Sequence, residues 1–207
     1  MANLIFDLDG TLWSTLGTAT QAWNDALDTL RLTKFRITES QMLSQVGKPR
    51  SEILACLFPT FSKSQLEEMA EVSWKFSFKR ISKLGGKIYL GVIQTLAQLH
   101  QEGHQLFIVS NCQRGYIEIF LNQSKTNNLF IDHECWGNTL KEKSYNIKLL
   151  MHRNQVQDAF YIGDTAGDQI AANKAGVLFI EASYGFGELM NKGWPSIDSF
   201  EELLLKV

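Results

Sequence analysis

The sequence predicts an α/β fold, a doubly wound and mostly parallel sheet interrupted near its start by a block of helices. Three observations predict it. The short apolar runs Leu4-Ile5-Phe6, Leu106-Phe107-Ile108-Val109, Ala159-Phe160-Tyr161-Ile162 and Val177-Leu178-Phe179-Ile180 show no polar alternation, as expected of strands buried on both faces. Between the later runs, apolar residues recur at helical spacing, the alternation of a sheet covered by helices on both faces. Residues 14 to about 86 break this alternation and carry helical patterns alone.

Taken in order, the first run stops at Asp7-Leu8-Asp9-Gly10-Thr11. Leu16, Ala19, Trp23, Ala26, Leu27 and Leu30 then make one amphipathic stripe. Two shorter segments follow, around 38–46 and 50–57, separated by Gly47 and Pro49. A second long helix is expected to start near Ser64-Gln65-Leu66-Glu67, a capping-box pattern, with Leu66, Met69, Val72 and Phe76 on one face. Gly85-Gly86 closes the block. A crossover of this length is far longer than connections inside one layer, so residues 14–86 are read as a separate all-helical domain. Residues 1–13 and 87–207 are left as the α/β domain. There, Val92, Leu96 and Leu99 form a helix before Gly103, and Ile117, Phe120 and Leu121 follow the second apolar run. Ile147, Leu150 and Met151 precede the third run. Ile170, Ala171 and Ala175 precede the fourth, with Gly176 as a C-terminal cap. This order is Rossmann-like.

Composition narrows the function classes. The 207 residues are 44% apolar and 20% charged, which excludes disorder, collagen-like sequence and coiled coil. Twenty basic against 22 acidic residues leave a net charge of −2, so nucleic acid is not expected as a partner. Cys56, Cys112 and Cys135 lack C-x-x-C spacing, and the histidines lack H-x-H or H-E-x-x-H spacing. Neither a disulfide framework nor a zinc site is expected. Asp7 comes too early for a signal peptide, and no apolar run is long enough for a membrane helix. A cytoplasmic monomer is expected.

The chemistry concentrates at strand ends. The first run ends in Asp7-Leu8-Asp9-Gly10-Thr11, the second in Ser110-Asn111 and the third in Gly163-Asp164-Thr165-Ala166-Gly167-Asp168. Parallel strands bring these clusters to one edge, where α/β sheets bind ligands. Up to four carboxylates, Asp7, Asp9, Asp164 and Asp168, would crowd one volume and raise each other's pKa unless a cation neutralised them. Oxygen donors alone point to a hard cation, Mg²⁺ by preference.

Asp-Leu-Asp-Gly-Thr at a strand end, then Ser-Asn, a lysine and Gly-Asp-x-x-x-Asp resemble the haloacid dehalogenase superfamily over residues 7–187. The helical block resembles that superfamily's cap domain. Tyr184-Gly185-Phe186-Gly187 adds a likeness to phosphoglycolate phosphatase-like hydrolases. The resemblance implies a Mg²⁺-dependent phosphatase acting on a small phosphorylated metabolite. It implies Asp7 as the nucleophile that forms an aspartyl-phosphate and Asp9 as general acid and base. Gly10 and Thr11 would shape the phosphate-binding loop, and Ser110 with the Asn111 amide would bind the phosphoryl group. Mg²⁺ would be held by Asp7, the Asp9 carbonyl and Asp164, with Asp168 supporting the metal site or the lysine. Two lysines compete for the remaining role. Lys143, three residues before Asn146-Ile147 at a helix start, fits the superfamily's pattern better, and Lys141 stays the alternative. Lys48 and Arg50, in the Gly47-Lys48-Pro49-Arg50 turn, could grip a second anionic group of the substrate, or could simply sit in a solvated turn that starts a helix. Trp13 is expected to serve hinge or cap packing, with a substrate platform as the alternative. A phosphomutase resembling β-phosphoglucomutase would use the same residues, and a non-catalytic binding protein that keeps the fold is the alternative from another class.

Overall fold

The computed structural model describes residues 1–187 and 193–207. In chain order the elements are β1 (Asn3–Phe6), β2 (Trp13–Ser14), α1 (Leu16–Leu30), α2 (Glu39–Leu43), α3 (Arg50–Leu57), α4 (Lys63–Leu84) and β3 (Lys87–Ile88). There follow α5 (Val92–Gln101), β4 (Gln105–Ser110), α6 (Tyr116–Ser124), β5 (Phe130–Cys135), α7 (Trp136–Thr139) and α8 (Lys143–Arg153). The chain continues through β6 (Phe160–Gly163), α9 (Ala166–Ala175), β7 (Leu178–Ala182), β8 (Ser196–Ile197) and a 3₁₀ helix, Phe200–Leu205. Two units separate by their internal contacts, Met1–Ser14 with Ile88–Val207, and Thr15–Lys87.

In the first unit six strands pair in the order β5-β4-β1-β6-β7-β8, every pairing parallel. Ile5 of β1 lies opposite Phe107 of β4 on one side and Tyr161 of β6 on the other. Strand β1 is therefore central, and Leu4, Ile5 and Phe6 are fully buried, which explains a run with no polar alternation. Ile5, Phe107, Val109, Ile147, Leu150, Tyr161 and Phe179 share one core cluster, and each side chain of this size is worth roughly 1.5–3 kcal/mol when fully buried. The chain builds β4 and β5 on one side of β1, then crosses to build β6, β7 and β8 on the other. That reversal places a ligand crevice at the carboxyl ends of β1 and its neighbours.

Two strands go beyond the apolar runs. Edge strand β5 reads Phe-Ile-Asp-His-Glu-Cys, and its polar residues hide it from a search for buried runs. Its Asp132 and Glu134 are held by Arg153 of α8, with Nε 2.6 Å from Asp132 and Nη1 2.6 Å from Glu134. Strand β8 has two residues, too few to carry a pattern.

In the helical unit α1 packs mainly on α4. Trp23, Ala26, Leu27, Ile37, Met42, Leu54, Phe58 and Met69 form its core. The capping box of α4 is centred on Ser62, two residues before the expected Ser64. The Ser62 hydroxyl accepts from the Gln65 N–H, and the Gln65 side chain accepts from the Ser62 N–H. The same reciprocal pair, Thr38 and Gln41, opens α2. Arg50, first residue of α3, lies 4.9 Å from the Trp23 ring centre and 5.4 Å from that of Trp74, and donates to Ser73 at 2.7 Å. Lys48 is exposed and donates to Gln45 at 3.0 Å. Among the described residues no helix is long and apolar enough to cross a membrane.

Candidate active site

Asp7 follows β1 directly, and its N–H donates to Ile162 of β6 at 2.8 Å. The sheet ladder thus runs one residue past the strand and holds the Asp7 backbone rigid. Asp164 follows β6, and Ser110 ends β4, so all three lie at carboxyl ends of adjacent strands. Carboxylate oxygens of Asp7, Asp164 and Asp168 come within 4.8 Å of one another, and all three residues are buried.

Lys143, the first residue of α8, is the cation inside this cluster. Its Nζ donates to Asp7 Oδ1 at 2.8 Å and to Asp168 Oδ1 at 2.5 Å, and it is buried. Those two carboxylates outweigh the cost of burying the ammonium and hold its pKa well above the ordinary lysine value. Lys141 is exposed, and its backbone N–H donates to the Thr139 hydroxyl. Both carboxylate oxygens of Asp168 are engaged. Its Oδ1 accepts from Lys143 and, at 3.4 Å, from the Tyr161 hydroxyl; its Oδ2 accepts from the Thr165 N–H at 2.9 Å and the Thr165 hydroxyl at 2.6 Å. Thr165 in turn caps α9 by accepting from the Asp168 N–H.

The loop after β1 is closed on itself. Thr11 and Leu12 N–H groups donate to the Leu8 carbonyl, and Gly10 N–H donates to Trp13 at 2.9 Å. Gly10 has φ +92°, and a Cβ there would sit 2.1 Å from Asp164 Oδ2, so both conformation and space require glycine. Thr11 is fully buried. Its hydroxyl lies 3.4 Å from Asp164 Oδ1, and its carbonyl accepts from Tyr184 at 2.8 Å. Asp164 Oδ2 accepts from the Phe186 N–H at 2.8 Å. A Cβ at Gly185 would lie 2.2 Å from the Asp164 Cβ, which explains the glycine between Tyr184 and Phe186. Asp9 accepts a hydrogen bond from the Tyr116 hydroxyl at 2.8 Å. Ser110 is buried, and Asn111 opens the loop that leads to α6. Trp13 packs on Tyr116 and Phe120 within the α/β unit.

Burial and like charge together raise two of the cluster's carboxyl pKa values. Burial pushes the Asp164 carboxyl up to about 8, with the Asp168 and Asp7 charges adding to the rise. Burial also pushes Asp7 up to about 6, although Lys143 opposes the shift. Fully ionised, the three carboxylates against one ammonium would carry two net negative charges, a charge that one divalent cation would balance. With only oxygen donors present, the arrangement suits a hard cation.

No local sequence pattern marks Tyr116, Tyr161 or Thr165 as a site residue. Only the Tyr184-Gly185-Phe186-Gly187 segment carried a signal, through its resemblance to relatives.

A family model described as haloacid dehalogenase-like hydrolase matches residues 4–182. The phosphoglycolate phosphatase of Vibrio parahaemolyticus is 27% identical over 216 residues, spanning 97% of this chain and 93% of its own length. A solved structure of a predicted phosphoglycolate phosphatase from Haemophilus somnus superposes with a TM-score of 0.85 at 19% identity, covering 100% of this chain and 97% of its own. A haloacid dehalogenase-like family hydrolase from Streptococcus pneumoniae gives 0.84 at 19% identity, covering 100% and 99%. At such identities the superpositions speak for the fold alone. With most of its length matched by one family model, the chain belongs to the haloacid dehalogenase-like hydrolases.

Proposed function

We propose that the protein is a Mg²⁺-dependent phosphatase that hydrolyses a small-molecule phosphate monoester through an aspartyl-phosphate on Asp7. The observation that carries this reading is the buried Asp7–Lys143 contact of 2.8 Å beside Asp164, at the carboxyl edge of the parallel sheet. The names of the relatives support the same class of reaction, and phosphoglycolate, a small carboxylated ester, is the substrate that the Vibrio relative's name suggests.

In the first step an Asp7 oxygen attacks phosphorus while the ester P–O bond breaks, and Asp9 gives its proton to the departing oxygen. In the second step water attacks phosphorus, its proton passes to Asp9, and the Asp7–phosphorus link breaks to release inorganic phosphate. Lys143 offsets the charge on Asp7 and on the phosphoryl oxygens. Asp168 holds Lys143 in place. Ser110 and the Asn111 amide bind the phosphoryl oxygens, and the tight Gly10-Thr11 turn shapes the loop beside them. The side chains of Asp7 and Asp164, with the Asp9 carbonyl, would hold Mg²⁺, which supplies the positive charge that lets an anionic carboxylate approach an anionic ester. In this reading residues 14–86 are the cap domain.

The test is release of inorganic phosphate from a panel of phosphate esters with Mg²⁺, before and after chelation. Activity that disappears with chelator and returns with Mg²⁺ is expected. Full activity in excess chelator would overturn the metal assignment, and no release from any ester would overturn the phosphatase reading.

A further inference from the structure

The side chain proposed to move protons is held from another element. The Tyr116 hydroxyl donates to Asp9 Oδ1 at 2.8 Å. Tyr116 is the first residue of α6, set by Gly115 at φ 88°, and is only 5% exposed. Its ring meets Trp13 edge-on with centroids 5.4 Å apart, and Phe120, one turn further along α6, meets the same indole at 5.3 Å. Trp13 is itself bound into the nucleophile loop, where its carbonyl accepts from the Gly10 N–H and its backbone bridges Asp9. The tyrosine ring is therefore clamped by the same loop that carries Asp9. Its hydroxyl has little freedom to leave the carboxylate.

We infer that Tyr116 is a positioning residue for proton transfer at Asp9. The inference rests on the proposed two-step hydrolysis and adds to it a group that touches no substrate atom. Tyr116 keeps its own proton throughout. When Asp9 has passed its proton to the departing oxygen, the tyrosine O–H steadies the carboxylate left behind and fixes its direction until water returns a proton. A hydrogen bond from a fixed donor selects one orientation of a short side chain that could otherwise rotate about two bonds. Without it Asp9 still reaches the leaving oxygen, but less often.

This role predicts a dependence on the leaving group that a packing role does not. The ratio kcat/KM reports steps up to and including departure of the alcohol. An alkyl phosphate needs a proton on its departing oxygen, whereas p-nitrophenyl phosphate leaves as a stable anion. Tyr116→Phe keeps the ring against Trp13 and removes only the hydroxyl. We expect it to lower kcat/KM for an alkyl phosphate about 10- to 100-fold, at or below the 10²–10⁴ that general acid–base catalysis contributes as a whole. The loss on p-nitrophenyl phosphate should stay under about threefold. Asp9→Asn is measured beside it, and thermal melting of each variant shows that it is folded. If Asp9→Asn loses alkyl phosphate hydrolysis while Tyr116→Phe loses nothing, or loses equally on both esters, the role given to Tyr116 is overturned and the two-step reading stands. If Asp9→Asn hydrolyses alkyl phosphate at the normal rate, the proton-transfer reading fails and the role of Tyr116 falls with it. In the Asp9→Asn background, adding Tyr116→Phe should cost no more than about twofold. A further tenfold loss there would show that the tyrosine acts elsewhere and overturn the inference.

Discussion

At the scale of single residues, one buried ammonium and three buried carboxylates share charge at the carboxyl edge of the sheet. Lys143 bridges Asp7 and Asp168, so Lys143→Ala leaves two carboxylates buried without their cation. A loss of at least about 10²-fold in turnover is expected, the scale for one preorganised electrostatic contact. Lys141→Ala, at an exposed position, should change turnover less than about twofold, and steady-state kinetics of the two variants decide between them. A second prediction concerns pH. The Asp164 carboxyl is pushed up to about 8 and Asp7 to about 6, against 3.8 for an unperturbed aspartate. Between those values the folded protein holds protons that the unfolded chain has released, so these groups make stability fall as pH rises toward 8. Asp132 and Glu134 have the opposite sign, because Arg153 and Asn154 or Asn138 outweigh their burial and keep their pKa values low. They are ionised by pH 6. Metal-free protein should therefore melt at a lower temperature at pH 8 than at pH 6. Added Mg²⁺ should raise the melting temperature more at pH 8, where it need not displace protons. A Mg²⁺ shift of zero at both values would contradict the cation site. The strand-end positions of Asp7, Ser110 and Asp164 were legible in the sequence because Asp7 and Ser110 follow an apolar run directly and Asp164 follows one after Gly163. The contacts of Tyr116, Tyr161 and Tyr184 were not. They join positions 107, 7 and 173 residues apart or depend on the helix start at Thr165, and no local pattern encodes them.

At the scale of elements, helix α9 couples stability to the site. Its N-cap Thr165 accepts from the Asp168 N–H and donates to the Asp168 carboxylate, and that carboxylate holds Lys143. Thr165→Val removes the hydroxyl while keeping the shape. It should destabilise the fold by about 1 kcal/mol, the usual worth of an N-cap, as read from urea unfolding. It should also slow turnover by less than Lys143→Ala does. Unchanged stability would mean that the cap contributes nothing to α9. The central strands β1, β4, β6 and β7 could be read from sequence since burial on both faces leaves only apolar side chains there. Edge strand β5 could not, because one of its sides faces no further strand and it carries Asp132, His133 and Glu134. The capping box of α4 was displaced for a different reason. Ser62 and Ser64 both precede glutamine or glutamate at suitable spacing, and only the backbone conformation at Ser62, φ −65° and ψ 161°, separates them.

At the scale of the whole molecule, the order β5-β4-β1-β6-β7-β8 makes β1 the strand at which the winding reverses. That topology places the end of β1, where Asp7 stands, between the ends of β4 and β6. The helical unit Thr15–Lys87 has a core of its own, so its insertion after β2 leaves the packing of the sheet to the first unit. The most direct test of the central claim is to quench turnover of a phosphate ester with acid and analyse the peptides by mass spectrometry. One phosphoryl group is expected on the peptide carrying Asp7 in the wild-type protein, and neither that group nor turnover in Asp7→Asn. Steady phosphate release by Asp7→Asn, or a phosphoryl group found on another residue during wild-type turnover, would contradict it.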